Sequence, residues 1–184
     1  MAANQILIGN APVSWGIFGN HLNDPDIPAY ATVLDEIVKA GYQGTELGPY
    51  GYYPTQPDQL KHELDGRGLK LASSFVPVEL MNDAGFRDSL KEVVQGGKLL
   101  AYFHVDHIIV SATWDDQRVK SAGLIPANGS KSWDATQFQG AAQRLNELGS
   151  LVFDQFGMTI VVHPHVGTWL ETEEETNRIL DLTN

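Results

Sequence analysis

Gln5-Ile6-Leu7-Ile8-Gly9-Asn10-Ala11-Pro12-Val13-Ser14-Trp15-Gly16 decides the fold class. A short β-prone run, residues 5–8, passes directly into a turn that holds Gly9, Pro12 and Gly16. A doubly wound dinucleotide-binding sheet carries G-x-G-x-x-G at this place, because the glycines let backbone and helix N-terminus close on a pyrophosphate. Gly9-Asn10-Ala11-Pro12-Val13 does not meet that pattern, and the chain has no P-loop motif. The first turn therefore favours a βα barrel over an open nucleotide-binding sheet.

Outward from this turn the chain alternates strand-like and helix-like segments. The expected strands are residues 5–8, 45–47, 69–76, 107–110 and 158–162. They read as short apolar runs rather than alternating ones, as in a parallel sheet buried on both faces. The first expected helix, residues 30–40, carries Val33, Leu34, Ile37 and Val38 at helical spacing and stops at Gly41. A second, residues 56–65, follows Pro54-Thr55, and a third spans residues 86–101. Gly96-Gly97 weakens the third by roughly 1 kcal/mol per glycine relative to alanine. Asp134 or Thr136 caps a fourth that ends at Gly157, and a fifth runs over residues 172–182. Glu173, Glu174 and Glu175 load its first turn, where the helix dipole favours acids; all three read as a solvated helix start. Residues 112–133 form a polar loop too long for a bare connector, hence a candidate active-site loop. The fold class expected is α/β, a (β/α)8 TIM-barrel type represented by about five βα units in a single domain over residues 1–184.

Charge narrows the function. Twelve Lys and Arg against 23 Asp and Glu leave a net charge of −11, which disfavours a phosphate-backbone grip and with it nucleic-acid binding. The absence of cysteine excludes disulfides, thiolate nucleophiles and Cys-ligated zinc, and fits a cytoplasmic protein. The first residues lack the basic region of a signal peptide. No apolar run approaches the ~20 residues that cross a bilayer, so no membrane partner is expected.

In a βα barrel the chemistry sits at the C-terminal ends of the strands. That filter passes Asn10, Ser14 and Trp15 after the first strand, Glu46 at the second, Ser73 and Ser74 at the third, Ser111, Thr113, Trp114 and Asp115 after the fourth, and His163 and His165 after the fifth. His163-Pro164-His165 is the sharpest signal, since side chains two residues apart on an extended segment point the same way and imidazole is the commonest metal ligand. The bland alternative is one packed and one surface histidine. Glu46 lies within a short buried strand, where a carboxylate is costly unless it is paired or used. It is an ion-pair partner, or it binds a sugar hydroxyl or acts as a general base. Glu171, offset from the glutamate run and near the histidines, either caps the helix entry or completes a His/Glu metal set. Trp15 and Trp169 offer aromatic faces to a polyol, or pack at the rim. His21 and His62 read as surface residues.

Ile8–Gly16, Ala40–Gly48 with Gly44-Thr45-Glu46-Leu47, and His163-Pro164-His165-Val166-Gly167-Thr168 with Glu171 resemble the xylose-isomerase-like barrels. Within these the chain is most similar to the sugar phosphate isomerase/epimerase group that includes myo-inosose dehydratase. The resemblance covers the whole chain. It implies a metal-dependent enzyme, with Mn²⁺ or Co²⁺, that moves protons next to a sugar or cyclitol carbonyl. On that basis the expected catalytic residues are Glu46 and His165, the substrate-binding residues Asn10, Trp15, Ser74 and Trp169, and the metal ligands His163 and Glu171. Members of the group carry a metal-binding Glu at the end of strand 5, where this chain has His163, and further Asp, His and Glu ligands on strands 6 to 8. A complete barrel takes at least ~200 residues. The expectation is thus an inosose dehydratase-like lyase or sugar isomerase/epimerase, inactive as this partial chain. The rival expectation is a non-catalytic α/β module that binds a sugar or a partner, with the open edge of the fifth strand covered by another chain or a second copy.

Overall fold

A computed structural model describes residues 6–19, 22–126 and 130–184; His21 lies outside them. The chain divides into two compact units. The first comprises residues 1–75 and 95–106, and the second residues 76–94 and 107–184.

The first unit contains a parallel three-stranded sheet of β1 (Gly9–Asn10), β2 (Gly44–Thr45) and β3 (Lys70–Leu71), in that order. β1 sits later in the chain than the expected run 5–8: the ladder begins where Gln43 donates to the Ile8 carbonyl and Gly9 pairs with Gly44. Helix α1 (Tyr30–Lys39) buries Val33, Leu34 and Ile37, and α2 (Pro57–Asp65) buries Leu60 and Leu64. The i, i+3, i+4 spacing of these residues makes one apolar stripe on each helix. Gly41, at φ 88°, ends the α1 turn in a conformation that side-chain-bearing residues avoid.

The second unit holds a sheet in the order β4 (Phe75–Val78), β5 (His107–Ala112) and β6 (Thr159–Val162), with β5 and β6 parallel from His107 opposite Thr159 to Val110 opposite Val162. The one strand expected over residues 69–76 is thus two, β3 and β4, in different sheets. β4 contains Pro77, which a strand tolerates at the edge of a sheet, and β4 is an edge in this order. The fourth and fifth expected strands are β5 and β6. β5 buries Ile108, Val110 and Ala112 on one face, while on the other Ser111 is buried and Ile109 only half-buried. β6 departs from the burial on both faces expected of the strands. Val161 is 46% exposed, and among the described residues β6 pairs with β5 alone.

Helix α3 (Asp83–Tyr102) runs unbroken through Gly96-Gly97, both of which are buried. α5 (Ala135–Phe156) starts with a capping box, in which Asp134 accepts from the Gln137 N–H and the Gln137 side chain accepts from the Asp134 N–H, and it ends on left-handed Gly157. α6 (Glu173–Leu182) starts the same way with Thr172 and Glu175. The long loop is not structureless: Asp115 caps a four-residue helix, α4 (Asp116–Val119). No helix among the described residues is long and apolar enough to cross a membrane.

Candidate active site

In the first unit the ladder itself aligns the first two strand ends. The Glu46 N–H donates to the Asn10 carbonyl at 2.9 Å, and the Leu47 N–H to the Ser73 carbonyl at 2.8 Å. Asn10 spends its side-chain oxygen on the turn, accepting from the Ala11 N–H at 2.8 Å and from the Ser14 hydroxyl at 2.7 Å. Trp15 closes a 3-10 turn, Pro12–Trp15, and its indole N–H donates to Glu36 of α1. Glu46 is half-buried and Ser74 is 2% exposed. Below Glu46, Thr45 is fully buried against Tyr53, the two hydroxyls 3.0 Å apart. Burial pushes the Tyr53 phenol up to about 12, with Tyr52 acting in the same sense and the Thr45 hydrogen bond opposing.

In the second unit β6 delivers His163, whose N–H donates to the Val110 carbonyl at 2.7 Å and so extends the β5–β6 ladder. The His163 and His165 rings lie 5.5 Å apart, as the H-x-H spacing predicts, and the exposed Trp114 meets the His165 ring edge-on at 4.9 Å. Partial desolvation holds the His163 imidazole below the usual histidine value, and the His165 ring adds to this. His165 Nδ1 is 2.8 Å from the Val166 carbonyl oxygen. A carbonyl only accepts, so Nδ1 is the donor in this contact.

Glu171 lies close to this turn, but its carboxylate is aimed elsewhere. It accepts from the Gly123 N–H at 2.6 Å and from the Gly167 N–H at 2.8 Å, and stands 3.9 Å from Arg118. Among the described residues no three His, Asp or Glu side chains gather as a metal site. The donor set in hand, two imidazoles with the neighbouring carboxylate engaged by backbone, does not amount to a divalent-metal centre.

Arg118, the role of Glu175 and Glu79 escaped the sequence reading of this unit. Arg118, in the loop, is 1% exposed and grips Glu175 through two 2.9 Å hydrogen bonds. Glu175, expected in solvent with Glu173 and Glu174, is 2% exposed and also accepts from Ser132 at 2.6 Å. Burial would raise its carboxyl, but hydrogen bonds from Ser132, the Thr172 and Glu171 N–H groups and Arg118 outweigh that and hold it low. Trp169, read as either a substrate-facing or a packing aromatic, stacks on Trp133 at 6.2 Å with the Arg118 guanidinium 5.2 Å from its ring centre. Finally, because β4 extends to Val78, Glu79 is a strand-end carboxylate. It accepts from the Met81 N–H at 2.6 Å and from the Thr113 hydroxyl at 3.2 Å. Its signal was a carboxylate two residues after Pro77, hidden by ending the strand at Val76.

Parallel strands that end in polar side chains and are joined by helices, as all here are except β3 and β4, are the layout of a βα barrel. No protein-family model matches the chain. Inosose dehydratase of Bacillus licheniformis is 34% identical over 188 residues, covering 98% of this chain and 57% of that protein. A xylose isomerase-like TIM barrel protein from Mycobacterium smegmatis, in complex with magnesium, superposes with a TM-score of 0.67 at 14% identity, over 97% of this chain and 61% of its own. The IOLI protein with a bound zinc atom gives 0.67 at 13% identity, over 96% and 58%. The chain is similar in sequence to inosose dehydratases and has the xylose isomerase-like barrel type of fold. It spans less than three-fifths of the length of its inosose dehydratase relative. The fold expectation holds: α/β, TIM-barrel type, with parallel strands.

Proposed function

We propose that this chain is the N-terminal part of an inosose dehydratase-like lyase, which removes water from a cyclitol ketone. The observation that carries the reading is the 34% identity to an inosose dehydratase sustained over 98% of the chain. The chemistry is proton removal from the carbon next to the ketone, followed by loss of the β-hydroxyl as water. Glu46 is the proposed base: a half-buried carboxylate at a strand end is suited to take a carbon-bound proton. His165 is the proposed acid–base partner for the departing hydroxyl, and Asn10, Trp15, Ser74 and Trp169 the proposed substrate contacts. A divalent ion, Mn²⁺ or Co²⁺, is the cofactor the resemblance implies, with His163 as a ligand. The described residues do not complete its coordination, so no step is assigned to it. It follows that the 184-residue chain alone should hold Mn²⁺ weakly and turn over no 2-keto-myo-inositol.

The test is a chimera in which this chain replaces its matching segment in the Bacillus licheniformis relative. Dehydration of 2-keto-myo-inositol by the chimera is expected. Glu46→Gln and His165→Gln should each cut kcat by about 10²-fold or more, the usual worth of a positioned acid or base. A folded chimera without turnover overturns the reading.

A further inference from the structure

We infer that Glu79 is a further substrate-contacting residue, whose carboxylate accepts from a ring hydroxyl at the C-terminal edge of the second unit's sheet and sets that edge against an anionic ring. The inference rests on the lyase reading above and adds to it a residue and a charge preference. The two faces of this sheet differ. A Cβ added at Gly149 of α5 would stand 3.7 Å from the Ile160 side chain, so Ile160 and its register partner Ile108 face that helix. Val110, paired with Val162, continues this covered face, and Val76 and Val78 are the buried positions of β4. Alternation puts Pro77, Ile109 and Val161 on the opposite, more open face. Two residues on from Pro77 and Val161, and four on from Ile109, the same face presents Glu79, His163 and Thr113 at the strand ends. The Thr113 N–H donates to the Val78 carbonyl at 3.1 Å and its hydroxyl to Glu79 at 3.2 Å, which ties the ends of β4 and β5 together.

Glu79 is held in place yet keeps accepting capacity. Its N–H donates to the Ser89 hydroxyl at 3.0 Å, and that hydroxyl donates to the Gly85 carbonyl at 2.9 Å. A Cβ at Gly85 would stand 2.5 Å from Glu79 Cγ, so glycine there leaves room for the carboxylate's stem. One carboxylate oxygen accepts from the Met81 N–H and the other from Thr113. A carboxylate oxygen has two lone pairs, so each has one left for a ligand donor. β4 and β6 are two strand spacings apart, about 10 Å, the width of a small polyol ring with a hydrogen bond on either side. No Lys or Arg occurs in residues 79–82, 113–116 or 163–166, and Arg118 beyond them is engaged at every nitrogen by Glu175 and by the Thr168 and Lys131 carbonyls. A hydroxyl can donate to this edge, whereas a phosphate meets like charge.

The test uses the full chain with two probes, myo-inositol and myo-inositol 1-phosphate. Amide NMR is recorded at a pH about two units above the ordinary histidine value, where imidazoles are neutral. myo-Inositol should shift the Met81 and Thr113 signals, and the phosphate ester should do so more weakly. Glu79→Gln keeps the side chain's size, an acceptor for the Met81 N–H and a donor to the Thr113 oxygen, so the turn is retained. It should weaken myo-inositol binding about five- to tenfold, the difference between a charge-assisted and a neutral hydrogen bond, and should strengthen binding of the phosphate ester. A residue that only held the turn would move both probes the same way or neither. Absent shifts at Met81 and Thr113, an unchanged myo-inositol affinity in the folded variant, or a parallel change in both probes overturns the inference. If the opposed response to Glu79→Gln is seen while the chimera fails to dehydrate 2-keto-myo-inositol, the lyase reading falls and the Glu79 contact stands.

Discussion

Arg118 and Glu175, 57 residues apart in sequence, meet as a two-point ion pair with both side chains at most 3% exposed. The pair joins the loop that contains α4 to the first turn of α6. Ser132, the Thr172 and Glu171 N–H groups and the Thr168 and Lys131 carbonyls supply the additional hydrogen bonds that a buried pair requires.

Removing one partner should be far worse than removing both. Arg118→Met strands a buried carboxylate and should cost about 3–5 kcal/mol in urea unfolding. Arg118→Met with Glu175→Gln should recover part of that loss, because the neutral amide leaves no buried charge and keeps an acceptor for the Thr172 N–H. A single variant within about 1 kcal/mol of the parent would show that the pair is not closed in solution.

Alkaline stability should carry the signature of Tyr53. Its phenol titrates near 10 when unfolded and about 12 when folded. A raised folded value means the stabilisation is complete below pH 10 and is lost as pH rises from 10 to 12. The two-unit gap corresponds to about 2–3 kcal/mol. Tyr53→Phe should lose the Thr45 hydrogen bond, about 1 kcal/mol, and flatten the alkaline limb of a stability–pH curve.

Gly48→Ala should destabilise by about 1–3 kcal/mol. Gly48 has φ 67°, and a Cβ there would stand 2.8 Å from Pro12 Cγ. Pro12 belongs to the turn that follows β1, so the loss should appear in the first unit's hydrogen-exchange protection as well as in thermal melting.

Asp134→Ala should cost about 1 kcal/mol, because it opens the capping box at the start of the 22-residue helix α5. Asp134→Asn, which keeps an acceptor for the Gln137 N–H, should stay within a few tenths of the parent in the same melting experiment.

The legible parts of the fold were those with local causes. Asp134 with Gln137, Thr172 with Glu175, and Gly157 mark helix ends by chemistry contained within one turn. His163 and His165 are neighbours because the spacing of an extended chain makes them so. What stayed hidden depends on distant partners. Glu175 looks like Glu173 and Glu174 until Arg118 arrives from another element. The split of residues 69–78 into β3 and β4 depends on which strands accept each piece, and Pro77 gave a local reason to stop too early. A four-residue helix such as α4 is shorter than the period that would reveal it.

The ion pair also imposes an order of events during synthesis. Arg118 leaves the ribosome 57 residues before its counter-charge. Until Glu175 follows, a lone guanidinium has every reason to remain hydrated, so the loop around α4 must wait while α5 and β6 are made. The nascent chain should therefore stay open to protease at that loop after β5 is complete, and become resistant only once α6 has emerged.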